Sequence, residues 1–343
     1  MLHKLLPVNP NSNFASNSNS QVHFYNGSNP NWEKYQIALL AYKPDESNVI
    51  RNSFYLQEFG AFQHLQIIDL GDAFALDENE ISLLIMEIIQ NQVFPLLFGF
   101  PQEIVLSICK QWENEFLPHS ISWVSSCTNE ESAKLYADNI YVKQQYFLGL
   151  QRQITNQELL SSSAKNIVPV YLSEYRKSSQ IIDSLTRNSE LFYFNLNSLR
   201  NSDFNASHNP SGFFSEEIIS IAKLAGSSDR SLLSIISEMN VSNENSRACG
   251  FLVAQMIWYM IEGIALKISD KRNKNGNLSH YVVEIKNSDC HLDFYKSEVS
   301  GKWWLQELTE SDIQGKLYPC TYDEYLKTVQ ENIPDRLLEL IYH

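Results

Sequence analysis

Apolar residues along this chain gather in short continuous runs, and amphipathic stretches separate most of these runs. The run YQIALLAY at 35–42 suits a strand that is covered on both faces. Between 77 and 91, acidic residues come first, and isoleucine and leucine then recur at helical spacing. This alternation predicts a parallel sheet with helices on both faces. The predicted strands are 35–42, 62–71, 93–99, 120–126, 166–175, 191–197 and 231–237, and the predicted helices are 47–59, 77–91, 102–117, 214–225 and 248–267.

The pattern changes at both ends of the chain. Residues 9–31 are rich in asparagine and serine and predict a poorly ordered or surface-lying segment. After residue 270, the segments HYVVEIK and CHLDFYKSE predict a hairpin, and a helix is expected near 322–342. The expected organisation is therefore an N-terminal segment at 1–31, an α/β domain at 32–269, and a C-terminal hairpin and helix at 270–343 packed on that domain.

Charge and cysteine content narrow the expected environment. The net charge is −14 without any lysine- or arginine-rich run, which disfavours nucleic acid and anionic membranes as partners. The five cysteines are widely spaced and form no CxxC pair, as expected for reduced thiols in the cytoplasm. The apolar segment GFLVAQMIWYMIEGIAL is interrupted by Gln255 and Glu262 and predicts a buried helix, not a membrane span. The start, MLHKLLPVNP, has too short an apolar patch for a secretory signal.

The stretch LFYFNLNSLRNSD, which begins at Leu191, combines a strand pattern with an unusual pair of amides. Asn195 and Asn197 are two residues apart and share one face of the predicted strand. Asparagine is uncommon in strands, and turn hydrogen bonds at a strand end would explain the pair. Two other strand ends, FGFPQE and WVSSCTN, are expected at the same edge of a parallel sheet, where such folds place functional residues.

These strand ends, together with two later segments, resemble the ureohydrolase family of arginase, agmatinase and formimidoylglutamase. The later segments are NPSGFFSEEIISIAKLAGSSD at 209–229 and LVAQMIWYMIEG at 252–263. The resemblance covers 35–268, and the tail patterns KWWLQE and LYPCTYDEYL are similar to those of a divergent formimidoylglutamase-like branch. It implies a three-layer α/β/α arginase-like fold with a mainly parallel sheet.

Catalytic members of that family hold two Mn²⁺ ions through the motifs GGDHS, DAHxD and SxDxD. Overlaid on this chain, the six ligand positions fall on Gln102, Ser125, Cys127, Asn129, Asn195 and Asn197. Hard dications prefer carboxylates and imidazoles, so the resemblance predicts that the metal pair is lost and that no metal cofactor is used. Neutral residues also avoid repulsion, because two carboxylates 4 Å apart cost about 4 kcal/mol at an effective dielectric near 20.

Other candidate residues have both a functional and a structural explanation. By resemblance, Glu217 and Glu238 match substrate-binding glutamates, but Glu217 also lies in the first turn of a helix that Ser215 is expected to cap. Cys127 would need a base to act as a nucleophile, and a small inert residue is the favoured interpretation. His208 precedes a loop that is expected to approach the site.

Two functions from different classes follow from the resemblance. The first is a catalytically inactive ureohydrolase homologue in the cytoplasm, acting as an interaction, scaffold or ligand-binding protein. The alternative is an amidinohydrolase that cleaves a C–N bond of a guanidino or formimidoyl substrate. The partner is then an unknown protein or a small molecule, and a homo-oligomer is compatible with either function.

Overall fold

The predicted parallel sheet is present and is larger than expected. The computed structural model describes residues 1–8, 21–113, 119–128, 142–162, 166–177, 180–240, 246–273, 278–285, 291–306 and 317–341. The nine strands of its main sheet are β1 (Val22–Phe24), β2 (Ile37–Ala41), β3 (Ile67–Asp72), β4 (Phe94–Phe98), β5 (His119–Val124), β6 (Val142–Leu150), β7 (Ile167–Tyr171), β8 (Leu191–Asn195) and β9 (Leu233–Ser237). They lie in the order β1-β3-β2-β4-β9-β8-β5-β6-β7 and are parallel at every ladder.

Helices cover both faces of this sheet and complete the three layers. The helices are α1 (Pro44–Phe54), α2 (Glu78–Gln90), α3 (Ile104–Glu113), α4 (Gln157–Ser162), α5 (Leu172–Lys177), α6 (Gln180–Thr186), α7 (Ser215–Ser227), α8 (Ser246–Asn273), α9 (Tyr322–Val329) and α10 (Asp335–Ile341). Successive strand residues point to opposite faces. Leu39 thus joins a core with α1, α7 and α8, whereas Leu40 joins a second core with α2 and α3.

The long apolar helix α8 lies mostly inside the fold. Its segment Arg247–Asp270 is long and apolar enough to cross a membrane by length and composition alone. Met256, Met260 and Ile264 are nevertheless buried among residues of α1, α7 and the sheet. Gly226 and Gly263 allow α7 and α8 to approach closely, since a Cβ at Gly263 would lie 2.2 Å from the Lys223 carbonyl oxygen. The burial expected for this segment is therefore present.

Two strands of the sheet were not predicted. β6 was missed because Lys143, Gln144 and Gln145 interrupt its apolar run, although Gln145 is buried and accepts a 2.8 Å hydrogen bond from Trp123 Nε1. β1 lies within the segment that was expected to be poorly ordered. Its three residues pair with β3 at the edge of the sheet, so the expectation of poor order is wrong for 22–24.

The C-terminal part is more elaborate than a hairpin and one helix. The predicted hairpin forms from β10 (Leu278–Glu284) and β11 (His291–Ser297), and β12 (Trp303–Gln306) and β13 (Leu317–Cys320) extend it to a four-stranded antiparallel sheet. The single helix expected at 322–342 is wrong, because α9 and α10 are separate. Pro334 immediately precedes α10. Because proline has no backbone N–H, one continuous helix is disfavoured at this position.

Buried charges join this small sheet to the main domain. Arg187, which follows α6, donates a hydrogen bond to the backbone carbonyl of Trp303 and lies 5.1 Å from the ring of Trp304. Asp229 accepts a 2.8 Å bond from Trp304 Nε1 and pairs with Lys302 at 3.3 Å. Both cations are buried, so the contact between the two parts depends on matched charges as well as on apolar area.

A second buried ionic network fixes α1 against the carboxyl end of β3. The Arg51 guanidinium donates two bonds to Asp69, at 2.8 and 2.9 Å, and one to Asp72 at 2.9 Å. Tyr55 donates to Asp69, and Ser47 donates to Asp72 at 2.6 Å. Removing one partner from such a group leaves an unpaired charge in a place that water does not reach.

Arg51→Met should therefore destabilise the chain by about 3–5 kcal/mol, because Asp69 and Asp72 lose their counter-ion. Urea unfolding followed by circular dichroism measures the effect. The double variant Arg51→Met with Asp69→Asn should recover part of the loss. Lys327→Met, which removes an exposed pair with Asp323, is the matched control and should leave the midpoint unchanged. Equal midpoints for Arg51→Met and the wild type would contradict this account.

A buried histidine lies at the opposite, amino-terminal edge of the sheet. His119 begins β5 and packs against Trp112, with 4.1 Å between ring centroids. Nearby, Glu190 accepts a bond from the Ser120 backbone at 2.7 Å and pairs with Arg230 at 3.0 Å. Burial and, secondly, the positive charge of Arg230 lower the pKa of His119 from 6.5 to about 4.

This pKa predicts a pH-dependent difference in stability. Below pH 6.5 the unfolded chain protonates His119 while the folded chain does not, so stability falls as the pH drops toward 4. His119→Gln removes this contribution. The free energy of unfolding of the variant, relative to that of the wild type, should therefore rise as the pH falls from 6.5 toward 4. Urea midpoints at about pH 7 and about pH 4.5 measure the difference. Substituting the exposed His64 is the control, and a pH-independent difference for His119→Gln would refute the assignment.

Candidate functional site

Strand order brings the predicted site residues to one edge of the sheet. β4, β9, β8 and β5 are consecutive neighbours, and their carboxyl ends lead into Gln102, Glu238, Asn195 and Ser125 respectively. Ligand sites of open parallel sheets lie outside these ends. The three strand ends singled out in the sequence are thus at the same edge of the sheet. Of the six overlaid positions, Asn129 lies outside the described residues.

The two asparagines of β8 have different partners. Asn195 Oδ1 accepts a 2.9 Å hydrogen bond from the Asn197 backbone N–H and caps a short 3-10 turn at Leu196–Ser198. Asn197 Nδ2 instead donates to Glu238 Oε2 at 3.3 Å. The first amide makes the turn bond that the sequence alone favoured. The second connects β8 to the end of β9, which the sequence pattern could not show.

Glu238 is held in an unusual backbone conformation beside this amide. Its φ is +57°, and Asn240 two residues later has a φ of +41°. Residues other than glycine rarely adopt the left-handed region, and such strain concentrates at functional sites. Glu238 is the carboxylate that this arrangement aims at Asn197, so the end of β9 supplies the negative charge next to the neutral end of β8.

A glycine makes room at the neighbouring end of β4. Gly99 has a φ of +79°, and a Cβ there would lie 2.9 Å from Met239 Cε. The turn that follows contains Gln102, whose carbonyl accepts from Val105 N–H at 3.1 Å at the start of α3. Gln102 is therefore placed by its backbone at the edge of the sheet, and its side chain is half-buried.

The end of β5 is also closed by local hydrogen bonds. Ser125 Oγ donates to the Cys127 carbonyl at 2.8 Å, and the Ser126 carbonyl accepts from Gln151 N–H at 2.8 Å. Cys127 is a free, half-buried thiol. Within the described residues the hydroxyl of Ser125 thus holds the turn at the position where the resemblance places a metal ligand.

Glu217 forms an ion pair and a backbone hydrogen bond at the start of α7. Its two carboxylate oxygens accept from Arg176 at 2.9 and 3.0 Å, and one of them also accepts from the Phe214 backbone at 2.8 Å. Ser215 is not the cap that the sequence suggested. It is the first helical residue, and both its N–H and its hydroxyl donate to Asp203, 12 positions earlier in the chain. A cap from so distant a residue leaves no local signature in the sequence.

His208 lies in the loop between β8 and α7, and this loop is tied to the site. Ser207 donates to the carbonyls of Asn197 and Leu199 at 3.1 and 2.6 Å. Gln151 Nε2, from the end of β6, donates to the Ser211 carbonyl at 2.9 Å. The His208 side chain itself is exposed. Gln151 was missed because the strand before it was missed.

The side chains at the overlaid ligand positions are poor ligands for a pair of Mn²⁺ ions. Such ions need several carboxylates and imidazoles, and the described ligand positions offer amides, a hydroxyl and one thiol, with the carboxylate of Glu238 beside Asn197. The amide of Asn197 and the hydroxyl of Ser125 are also used in hydrogen bonds. Across the described part of the chain, no three His, Cys, Asp or Glu side chains are grouped as metal ligands.

Comparison with solved structures confirms the arginase-like, ureohydrolase-type fold. Formiminoglutamase from Trypanosoma cruzi with Mn²⁺ superposes with a TM-score of 0.60 at 16% identity, over 69% of this chain and 96% of that one. Formimidoylglutamase from Bacillus subtilis gives 0.59 at 13% identity, over 72% and 91%. Proclavaminate amidino hydrolase from Streptomyces clavuligerus gives 0.52 at 12% identity, over 67% and 93%. No protein-family model and no curated protein sequence matches the chain.

Asn195→Asp and Asn197→Asp form a matched pair that tests the site. An aspartate at 195 still accepts the turn bond, so stability should change by less than about 0.5 kcal/mol. An aspartate at 197 cannot donate to Glu238 and places two carboxylates together, so a loss of about 1–3 kcal/mol is expected at neutral pH. Acidification should reduce that loss, because protonating one carboxyl group restores a donor. Equal stability of both variants in urea unfolding would contradict the geometry.

Proposed function

We propose that this chain is a non-hydrolytic protein with a ureohydrolase fold that works in the cytoplasm as a ligand-binding or interaction protein. The observation that carries the proposal is the 3.3 Å hydrogen bond from Asn197 to Glu238. An amide donor and a carboxylate acceptor complement each other without a cation between them. Asp at the same position would need such a cation, or a proton, to relieve the repulsion.

The chemistry of hydrolysis supports the same proposal. Attack on a guanidino or formimidoyl carbon near neutral pH needs an activated water, which a metal pair supplies by lowering the pKa of that water. The amides and the hydroxyl at the strand ends are poor ligands for two dications and poor general bases. The proposal accordingly assigns no cofactor to the site.

The proposal assigns ligand binding to Glu238. Its carboxylate is fixed by Asn197 and by the strained backbone, and it suits a guanidinium or amidinium group. We also assign a contact with the ligand to His208, whose side chain is exposed in the loop between β8 and α7. Glu217 contributes indirectly, because its pair with Arg176 fixes the start of α7 beside the loop that carries His208. Under the same proposal, the macromolecular partner of this chain is another protein or a second copy of the chain.

A second function is favoured by the names of the structural neighbours. These proteins are called formiminoglutamase, formimidoylglutamase and amidino hydrolase. The alternative proposal is therefore an amidinohydrolase that cleaves a C–N bond of a guanidino or formimidoyl substrate. It would need a mechanism that uses Glu238 and the surrounding neutral side chains.

Metal content and product release distinguish the two proposals. Protein purified in the presence of Mn²⁺ should retain no stoichiometric metal by mass spectrometry, because too few anionic donors are available. It should release no urea from arginine or agmatine and no formamide from formimidoylglutamate, whereas an active formimidoylglutamase serves as the positive control. Guanidinium compounds should raise the melting temperature of the wild type more than that of Glu238→Gln. Stoichiometric Mn²⁺ together with product release would establish the alternative instead.

A further inference from the structure

A groove separate from the strand ends of β5 and β8 opens where the loops after β2, β3 and β4 meet. Its volume is about 540 Å³, which is in the range of small-molecule sites. Its walls include Tyr42, Leu76, Asp77, Glu78, Phe100 and Ile104. We call this the aromatic groove. It lies at the carboxyl edge of the sheet, and its lining includes none of the six ligand positions that the overlay on the metal motifs gave.

Aromatic rings form one side of the aromatic groove. Tyr42 stands between two phenylalanines, with ring centroids 5.4 Å from Phe100 and 6.1 Å from Phe74. Phe74 is 56% exposed, so its ring is accessible from solvent beside Tyr42. Lys43 Nζ lies 5.5 Å from the Tyr42 centroid, so this ring already attracts one ammonium group.

Anchored carboxylates form the other side. Asp77 Oδ1 accepts from the Glu80 N–H at 2.8 Å and caps α2, and Glu78 accepts from Ser107 Oγ at 3.2 Å. Both side chains are thus held in place before any ligand binds. Their two negative charges exceed the half positive charge of the helix terminus together with the single charge of Lys43 at the Tyr42 ring, and the residues that line the groove include no lysine, arginine or histidine.

We propose that the aromatic groove binds a small organic cation with an apolar body, of the alkylammonium or quaternary ammonium class. The rings contact the apolar part and face the positive charge, as in other aromatic sites for ammonium groups. Asp77 and Glu78 neutralise that charge at the rim. Leu76 and Ile104 form an aliphatic wall for the apolar body of the ligand, and the two carboxylates disfavour anions.

Calorimetric titration of the full chain with choline tests the proposal, and 3,3-dimethyl-1-butanol is the neutral compound of the same shape. Choline should bind saturably and at least about tenfold more tightly than the neutral compound. Glu78→Gln and Tyr42→Leu should each weaken binding about threefold to tenfold. Glu33→Gln removes an equal charge from an exposed site elsewhere and should have no effect.

Amide NMR spectra of the same samples show where the ligand binds. Shifts on adding choline should centre on Tyr42, Phe74 and Glu78. If Tyr42→Leu does not fold, Phe74→Ala replaces it, because that ring is largely exposed. Equal affinity for the charged and neutral compounds, unchanged affinity in the groove variants, shifts centred elsewhere, or no saturable binding would each overturn the proposal.

Discussion

Nine parallel strands end at one edge of this protein, and the charges at that edge must be balanced locally. Two arrangements achieve this balance. Within β3, the carboxylates of Asp69 and Asp72 are neutralised by the buried guanidinium of Arg51. After β8 and β9, the single carboxylate of Glu238 meets the neutral amide of Asn197. Neither arrangement requires a metal ion, because each negative group already has a donor.

This balance connects the fold with the proposed function. The arrangement of strands and helices is that of proteins named as formiminoglutamases and amidino hydrolases, yet fold alone does not determine function. Function depends on the side chains at the strand ends, and here the described ligand positions of the overlay are amides, a hydroxyl and a thiol beside the carboxylate of Glu238. An edge of amides and hydroxyls is suited to binding and orienting a ligand, whereas water activation needs a metal or a strong base.

Much of the fold could be predicted from sequence because its signals are local. The strand at Ile37–Ala41 is a continuous apolar run, and α2 begins at an aspartate cap that faces Glu80. The missing parts depend on distant residues. Gln145 interrupts a strand pattern but is satisfied by Trp123, and Asp203 caps a helix 12 residues away. In the site, the six overlaid positions were found by resemblance, but the Asn197–Glu238 contact joins residues 41 positions apart, and no pattern along the chain encodes it.

The central claim is that the Asn197 amide takes the place of a metal ion beside Glu238. Diffraction from crystals grown in Mn²⁺, with anomalous data collected at the manganese edge, tests it most directly. The account predicts no anomalous peak among Asn195, Asn197 and Glu238, and a direct hydrogen bond between the last two residues. A well-occupied manganese ion coordinated by these side chains, with the amide turned away from the carboxylate, would contradict it.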